Sequence, residues 1–133
     1  MSLSDINKRE RKFHNQLHLS DSEDRANQNK YYKALHALQK DFLKDLKFET
    51  NSKDVLDYGC GSGNFAEKVL NFKPKKITAV DISEEAIKKA KNNHGYNNNK
   101  IEYRVENCEN LKLSSSSFDV AYGGGILHHL NLN

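Results

Sequence analysis

The chain has 133 residues, of which 36% are hydrophobic, so it has room for one domain with a modest core. Lysine and arginine number 21 against 18 acidic residues, and this formal charge of +3 is too small an excess to indicate a nucleic-acid-binding surface. No apolar run approaches the roughly 20 residues that cross a bilayer, so we expect no membrane contact. Cys60 and Cys108 lack Cys-x-x-Cys spacing and predict reduced thiols in a cytoplasmic protein.

The N-terminal residues 1–30 are polar and weakly periodic, which predicts a mobile arm or short helices ahead of a domain spanning 31–133. His14 and His18 have the spacing of a helical metal pair, but no third ligand accompanies them, so we expect solvated side chains. From Tyr31 onward, apolar residues recur every three or four positions, which is typical of an amphipathic helix. The apolar positions of that helix are Leu35, Leu38, Phe42 and Leu46.

Four short strand-like runs follow and alternate with helical or turn-forming segments. Their bounds are 54–58, 76–81, 101–105 and 118–122. A helix over 64–72 is predicted between the first two strands, and Ser83 is placed to cap a second helix that runs to about Asn92. This alternation predicts an α/β fold, a Rossmann-like doubly wound, mostly parallel sheet with helices on both faces. Ligands of such sheets bind beyond the carboxyl ends of the strands.

A glycine-rich turn follows the first strand, with glycines at 59, 61 and 63. Glycine lets the backbone turn sharply and lets a ligand lie against the main chain, and the amides that begin a helix favour an anion. Asp57, two residues ahead of the turn, adds a negative charge that would repel a bare phosphate but can hold an ammonium group. The pattern therefore indicates a ligand that carries both charges, as an amino acid does.

Asp81 ends the second strand about 20 residues beyond the turn. A carboxylate there can accept both hydroxyls of an unphosphorylated ribose, although it could also be a helix-initiating acid ahead of Ser83. The Gly-x-Gly-x-Gly spacing differs from the Gly-x-Gly-x-x-Gly of dinucleotide-binding folds. An NAD-type dehydrogenase domain is therefore the weaker alternative.

Three segments in succession resemble the class I S-adenosylmethionine-dependent methyltransferases, a family that includes the ubiquinone and menaquinone biosynthesis methyltransferases. They read Val-Leu-Asp-Tyr-Gly-Cys-Gly-Ser-Gly-Asn-Phe, then Ala-Val-Asp-Ile-Ser, then Ser-Phe-Asp-Val-Ala-Tyr with Gly-Ile-Leu-His-His-Leu, and they lie within 54–130. The resemblance implies an enzyme that binds S-adenosyl-L-methionine, releases S-adenosyl-L-homocysteine and requires no metal.

The same resemblance implies which residues of the glycine turn meet the methionine part of the cofactor. Asp57, Gly59 and Gly61 would border it, together with Cys60 of the same turn. Gly63 would let the following helix pack closely.

For the nucleoside part, the resemblance implies that Asp81 binds the ribose hydroxyls and that Ile82 packs on the adenine. Asn107 stands where the family commonly has Asp, and its amide oxygen would accept the adenine amino group. Cys108 would present its backbone N–H to the ring. The alternative is that Asn107 and Cys108 are ordinary loop residues.

Gly123 begins a run of three glycines where, in this family, the methyl group meets its acceptor. His128 and His129 follow, and either could act as a catalytic general base for an oxygen nucleophile or have only a packing role. The Asn/Asp-Pro-Pro-Tyr/Phe motif of enzymes that methylate DNA bases or glutamine does not occur in the sequence. We therefore expect a small-molecule acceptor rather than nucleic acid.

The sequence ends after its fourth predicted strand, whereas the family fold resembles a seven-stranded sheet. We expect a domain truncated at this point, whose last strand, 118–122, is an exposed edge through which copies could form a homo-oligomer. The alternative to an active methyltransferase is a non-catalytic cofactor-binding or regulatory module of the same fold, which Asn107 and the short length both favour.

Overall fold

A computed structural model describes residues 4–19, 29–94, 99–126 and 130. Helices and strands alternate through most of these residues. In chain order they are α1 (Asp5–Leu19), α2 (Asn29–Glu49), β1 (Asp54–Tyr58), α3 (Asn64–Leu70), β2 (Lys76–Asp81), α4 (Glu84–His94), β3 (Ile101–Val105) and β4 (Val120–Tyr122).

The strands form one parallel sheet in the order β3-β2-β1-β4. Val55 of β1 lies opposite Ile77 of β2 on one side and Val120 of β4 on the other. The predicted Rossmann-like parallel sheet is thus confirmed. Because the strand order changes direction between β1 and β4, the carboxyl ends of these strands form the switch point where such sheets bind ligands.

The apolar core lies on one face of the sheet, beneath α2, α3 and α4. Side chains from all three helices pack against strand residues that share this face, and each fully buried aliphatic side chain contributes roughly 1.5–3 kcal/mol. Large aliphatic residues of this core include Leu46, Val55, Val69, Ile77 and Ile87.

The apolar stripe predicted for α2 is only partly buried. Phe42 and Leu46 join the core, but Leu38 is 69% exposed, and the side chain of Leu35 lies outside the described residues. The end of the helix is fixed by Thr50, whose amide and hydroxyl both donate to the Leu46 carbonyl, at 3.0 and 2.6 Å.

Helix α3 ends at Leu70 and not at Phe72 as predicted. The amides of Asn71, Phe72 and Lys73 each donate to the carbonyl three residues earlier, which tightens the last turn into 3-10 geometry. Lys73 then adopts a φ of 59°. Phe72 nevertheless packs against the core, as its place on the predicted helical face required.

Ser83 caps α4 as predicted, because its Oγ accepts the amide of Ala86 at 3.1 Å. Asn15 of α1 extends this cap. Its Oδ1 accepts the Ser83 hydroxyl at 2.6 Å and the Glu85 amide at 3.4 Å. These bonds satisfy amides that every helix start leaves without a partner inside the helix. The helix continues to His94, two residues beyond its predicted end.

Strand β4 covers only Val120–Tyr122, so the prediction of 118–122 was too long. The Asp119 amide donates to the Asp54 carbonyl at 2.8 Å, but the Asp119 carboxylate accepts the Asp54 amide at 2.9 Å. A side chain therefore replaces a backbone carbonyl in the ladder, and Phe118 lies outside it. Within the sheet that the described residues form, β4 is an edge strand.

Helix α1 occupies residues 5–19 of the predicted N-terminal arm, where the sequence left a mobile arm and helices as alternatives. Ser4, just ahead of the helix, caps its start, because the Ser4 Oγ accepts the amide of Asn7 at 3.2 Å. Arg11 pairs with Glu84 of α4, and Asn15 bonds to Ser83. This helix is therefore docked on α4 by polar contacts.

Crossing a bilayer requires a long apolar helix. In the stretches that the structure describes, no helix combines the necessary length and apolar character.

Candidate functional site

The glycine turn after β1 is held against β2. Gly59, Gly61 and Gly63 have φ values of 76°, 53° and 81°, a region that costs other residues about 1–2 kcal/mol. The amides of Gly59 and Cys60 both donate to the Val80 carbonyl at 2.9 Å. Because these amides point at β2, they do not form the donor array that a bound pyrophosphate requires.

Asp81 connects the glycine turn to the start of α4. Its Oδ2 accepts the amide of Gly61 at 2.9 Å, and its Oδ1 accepts the amide of Ser83 at 2.8 Å. Each carboxylate oxygen can accept a further hydrogen bond. Two backbone amides thus hold the carboxylate in one orientation at the wall of a cavity.

This cavity, of about 250 Å³, opens where β1, β2 and β3 end. The parallel strands bring the glycine turn, the end of β2 and the loop after β3 to the same edge of the sheet. Six of the ten residues predicted to bind the cofactor line it. They are Gly59, Gly61, Asp81, Ile82, Asn107 and Cys108.

Three of the other predicted residues do not line the cavity, and each has close packing contacts or is buried. A Cβ at Gly63 would lie 2.7 Å from the Tyr103 hydroxyl, and one at Gly123 would lie 2.8 Å from the Tyr58 carbonyl oxygen. Cys60 is 8% exposed, and burial raises the pKa of its thiol far above the ordinary value.

Asp57, the fourth, is a carboxylate buried beneath the glycine turn. It is 2% exposed, and the Tyr122 hydroxyl donates to its Oδ2 at 3.0 Å. Burial raises the pKa of Asp57 to about 7; the hydrogen bond from Tyr122 opposes this shift, and the charge of Asp81 adds to it. A cation at the turn would offset the cost of ionising this group.

The loop after β3 is fixed at two points. The Tyr58 hydroxyl donates to the Cys108 carbonyl at 2.7 Å, and the Glu109 amide donates to Asn107 Oδ1 at 3.0 Å. Burial, together with the charge of Asp81, raises the pKa of Cys108 to about 12. The thiol is therefore protonated at neutral pH, and Cys108 acts as part of the wall rather than as a nucleophile.

Helix α1 adds three cavity residues that the sequence analysis did not predict, Asn7, Glu10 and His14. His14 is half-buried and not solvated as expected, and its Nε2 lies 3.7 Å from Glu10 Oε2. The available signal was a set of polar residues at helical spacing. A polar stripe normally faces water, so it did not indicate a contact surface.

His128 and His129, predicted as catalytic, lie outside the described residues, as does the side chain of His18. The catalytic role of His128 and His129 stays a prediction. Across the described part of the chain, no cluster of three or more His, Cys, Asp or Glu side chains could hold a metal ion.

Residues 55–133 match the family described as methyltransferase domain. The matching segment is more than half of the chain and contains the glycine turn, Asp81 and the loop after β3. This chain belongs to the class I S-adenosylmethionine-dependent methyltransferase family. Membership confirms the resemblance and favours a methyltransferase over the dehydrogenase alternative.

Relatives match only part of their length. The chain is 33% identical over 79 residues to the tRNA U34 carboxymethyltransferase of Campylobacter curvus. The matched segment covers 59% of this chain and 26% of that protein. It is 30% identical over 99 residues to the ubiquinone biosynthesis O-methyltransferase of Pelagibacter ubique, covering 71% of this chain and 40% of that protein.

A solved structure with the same fold is an S-adenosylmethionine-dependent methyltransferase from Mesorhizobium loti. It superposes with a TM-score of 0.51 at 27% identity, covering 56% of this chain and 33% of that one. The chain therefore spans between about a quarter and two fifths of the length of these relatives.

Proposed function

We propose that the cavity binds S-adenosyl-L-methionine and that the protein transfers its methyl group to a small-molecule acceptor. The observation that carries the proposal is the position of Asp81. Two backbone amides hold its carboxylate at the cavity wall, between the glycine turn and Ile82.

The cavity residues suit a nucleoside. Asp81 would accept the two ribose hydroxyls, because each of its oxygens has capacity beyond the amide it already accepts. Ile82 would pack on the adenine ring, Asn107 would accept the adenine amino group, and the Cys108 amide would donate to a ring nitrogen.

The turn suits the amino-acid end of the same ligand. A Cβ at Gly61 would meet no atom within 4 Å, so the backbone there lies open to the cavity. Asp57 lies beneath the turn, where its charge would favour an ammonium group nearby even though its side chain does not reach the cavity. A zwitterionic tail would thus lie along Gly59 and Gly61.

Methyl transfer needs little covalent chemistry from the protein. When bound, the cofactor would supply an electrophilic methyl group on a sulfonium, and transfer of that methyl to the acceptor would leave S-adenosylhomocysteine. The role of the chain is to hold donor and acceptor in line, which can account for much of the rate.

Gly124 and Gly125 line the cavity beyond β4 and would leave space for the acceptor. An oxygen acceptor would also have to lose a proton, which is the role proposed for His128 or His129.

A small-molecule acceptor is supported by the weak excess of positive charge, and a cytoplasmic location by the absence of paired cysteines. The relatives' names include both a tRNA-modifying enzyme and a ubiquinone biosynthesis enzyme. Release of S-adenosylhomocysteine should therefore be assayed with phenols, carboxylic acids and amines, and separately with total tRNA. Turnover only with tRNA would contradict the small-molecule proposal.

Calorimetric titration of the 133-residue chain with S-adenosylmethionine and S-adenosylhomocysteine tests the binding step directly. We expect saturable binding of both ligands and no heat with NADH. Absence of binding by both nucleosides would contradict the proposal. Tight binding without turnover of any acceptor by a longer protein containing this domain would favour the non-catalytic module.

A further inference from the structure

Two side chains of α1 place opposite charges at the cavity. Glu10 and His14 both line it, and His14 Nε2 lies 3.7 Å from Glu10 Oε2. Their side chains are 30% and 24% exposed, so water screens them less than it screens a fully exposed pair. With the imidazole protonated, the pair presents one anionic and one cationic group to a ligand in the cavity.

Hydrogen bonds along α1 fix where this pair lies. Asn7 bonds to Asn107 in the loop after β3, and Asn15 bonds to Ser83 at the start of α4. The helix therefore runs from the end of β3 to the end of β2. Since each helical residue adds about 1.5 Å, His14 lies roughly 10 Å along the helix from Asn7. Because β2 lies between β3 and β1 in the sheet, this end of the helix is the one nearer the glycine turn.

The glycine turn offers few donors to an anionic group. The amides of Gly59 and Cys60 donate to a carbonyl of β2, and the amide of Gly61 donates to a carboxylate. We expected the amides that begin the following helix to hold an anion, but no residue that begins α3 is among the described residues lining the cavity. Of those lining residues, His14 alone can carry a positive charge. An anion in this cavity would therefore find its cationic partner on α1.

A cation in the cavity would find its partner on the same helix. The carboxylates among the described lining residues are Glu10 and Asp81, and Asp81 already accepts two backbone amides beside the proposed ribose position. Asp57, buried beneath the turn, does not line the cavity. The ammonium and carboxylate groups of an amino acid share one carbon, so they need an acceptor and a donor that lie as close together as Glu10 and His14.

We propose that α1 binds the amino-acid end of the cofactor, with Glu10 accepting hydrogen bonds from the ammonium group and His14 donating to the carboxylate. Both residues lie ahead of 55–133, the segment that matches the methyltransferase domain family, so family membership does not predict these roles. This inference rests on the proposed function, because it takes the cavity to be the cofactor site.

Four ligands that differ only beyond the sulfur atom test the proposal by calorimetry with the 133-residue chain. S-adenosylhomocysteine carries both charged groups, its decarboxylated analogue keeps only the ammonium group, its deaminated analogue keeps only the carboxylate, and methylthioadenosine has neither. Titration at about pH 6, below the ordinary histidine pKa of about 6.5, favours the protonated imidazole. Asp57, whose pKa burial raises to about 7, is then mostly uncharged and contributes little.

His14→Gln removes the positive charge and keeps a polar side chain that suits a helix. It should weaken binding of S-adenosylhomocysteine and of the deaminated analogue by about 10-fold, the lower end of the range for a hydrogen bond to a charged group, because the side chain is partly exposed. Binding of the decarboxylated analogue and of methylthioadenosine should not weaken. Retained affinity for methylthioadenosine also shows that the variant is folded.

Glu10→Gln should give the complementary pattern. Binding of S-adenosylhomocysteine and of the decarboxylated analogue should weaken by about 10-fold, for the same reason. Binding of methylthioadenosine should stay at the wild-type value. Lys12→Gln is the control, because it removes a charge from an exposed position of the same helix, and it should leave all four affinities unchanged.

The outcomes separate this inference from the proposed function. Unchanged affinities in both variants, or an equal loss for all four ligands, would overturn the inference while leaving the proposed function intact. Equal wild-type affinities for S-adenosylhomocysteine and methylthioadenosine would do the same, because the charged end would then contribute nothing. If the wild-type chain bound none of the four, the proposed function would fail, and the inference with it.

Discussion

The amide of Gly61 donates to the carboxylate of Asp81 at 2.9 Å, although 20 residues separate them in the chain. The same carboxylate that would bind the ribose therefore also fixes the turn that would bind the amino-acid tail. The two halves of the proposed site share one group, so they cannot be altered independently at this position.

Asp81→Ala should weaken S-adenosylhomocysteine binding by at least about 100-fold. It removes the acceptor of two hydroxyl groups, and hydrogen bonds to a charged group contribute roughly 1.5–3 kcal/mol each. Unfolding should stay cooperative, because the apolar core does not include Asp81. Calorimetry measures the affinity, with Asp45→Ala on the exposed side of α2 as the control. Equal affinities of wild type and Asp81→Ala would show that the carboxylate does not bind the ligand.

Gly61→Val and Gly63→Ala should fail in different ways, although both positions have positive φ. A side chain at Gly61 points into open cavity space, so valine should abolish detectable ligand binding while the chain still unfolds cooperatively. A methyl group at Gly63 meets Tyr103, so alanine should lower the free energy of unfolding by about 3 kcal/mol through strain and overpacking. Thermal unfolding and calorimetry separate the two effects, and identical behaviour of both variants would contradict the assignment.

The stability of the unliganded chain should depend on pH through Asp57. Its pKa is about 7 in the folded chain and near 4 when unfolded, so its contribution is greatest below about pH 4 and is lost as the pH rises to 7. Asp57→Asn removes this titration. The free energy of unfolding of Asp57→Asn minus that of wild type should therefore increase between pH 4 and 7, by at most about 4 kcal/mol.

Urea unfolding at a series of pH values measures this difference, and a constant value across that range would be evidence against a buried, uncompensated carboxylate. If the ligand carries an ammonium group near the turn, the affinity of wild type relative to that of Asp57→Asn should also rise from pH 6 to 8. Titration of His14 affects both chains alike and cancels in this comparison.

Tyr103→Phe should leave the unfolding free energy unchanged or raise it by about 1 kcal/mol. The Tyr103 hydroxyl is buried and has no hydrogen-bond partner among the described residues, so its removal relieves a desolvation cost. Tyr122→Phe is the matched comparison and should destabilise the chain, because the Tyr122 hydroxyl donates to Asp57. Urea denaturation of both variants decides the matter; a clear loss of stability in Tyr103→Phe would mean that its hydroxyl has a partner after all.

Three of the four strands and most of the proposed cavity residues could be predicted from the sequence. The residue pattern of each strand and the parallel topology of the sheet both place these residues correctly. The bounds of β1, β2 and β3 match the predicted strands. Short apolar runs bordered by turn residues specify β1 and β2, and the alternation of apolar and polar residues specifies β3. Parallel strands then bring Gly61, Asp81 and Asn107 to one edge without further information. The length of β4 could not be predicted, because the exchange of a backbone carbonyl for the Asp119 carboxylate has no signature in the hydrophobic pattern.

The place of α1 could not be predicted because its pattern runs opposite to the usual rule. Three of its apolar residues, Ile6, Phe13 and Leu19, are 38%, 55% and 67% exposed, whereas Asn7 is buried and Asn15 bonds to Ser83. Burying a polar residue is favourable only when each of its groups finds a partner, and those partners lie about 70 and 100 residues further along the chain. Periodicity alone carries no information about them.

Helix α1 is docked by hydrogen bonds and an ion pair, and none of its described side chains belongs to the apolar core, so its release would leave that core closed. Each of the few hydrogen bonds that dock α1 contributes about 1 kcal/mol net, so its release should cost far less than opening the core. Amide hydrogens of α1 should accordingly exchange before those of β2, and a bound nucleoside should slow them; simultaneous exchange would mean that the helix opens only with the whole fold. A helix packed into the apolar core would be released only together with that core, whereas polar docking would let a bound nucleoside exchange without unfolding of the domain.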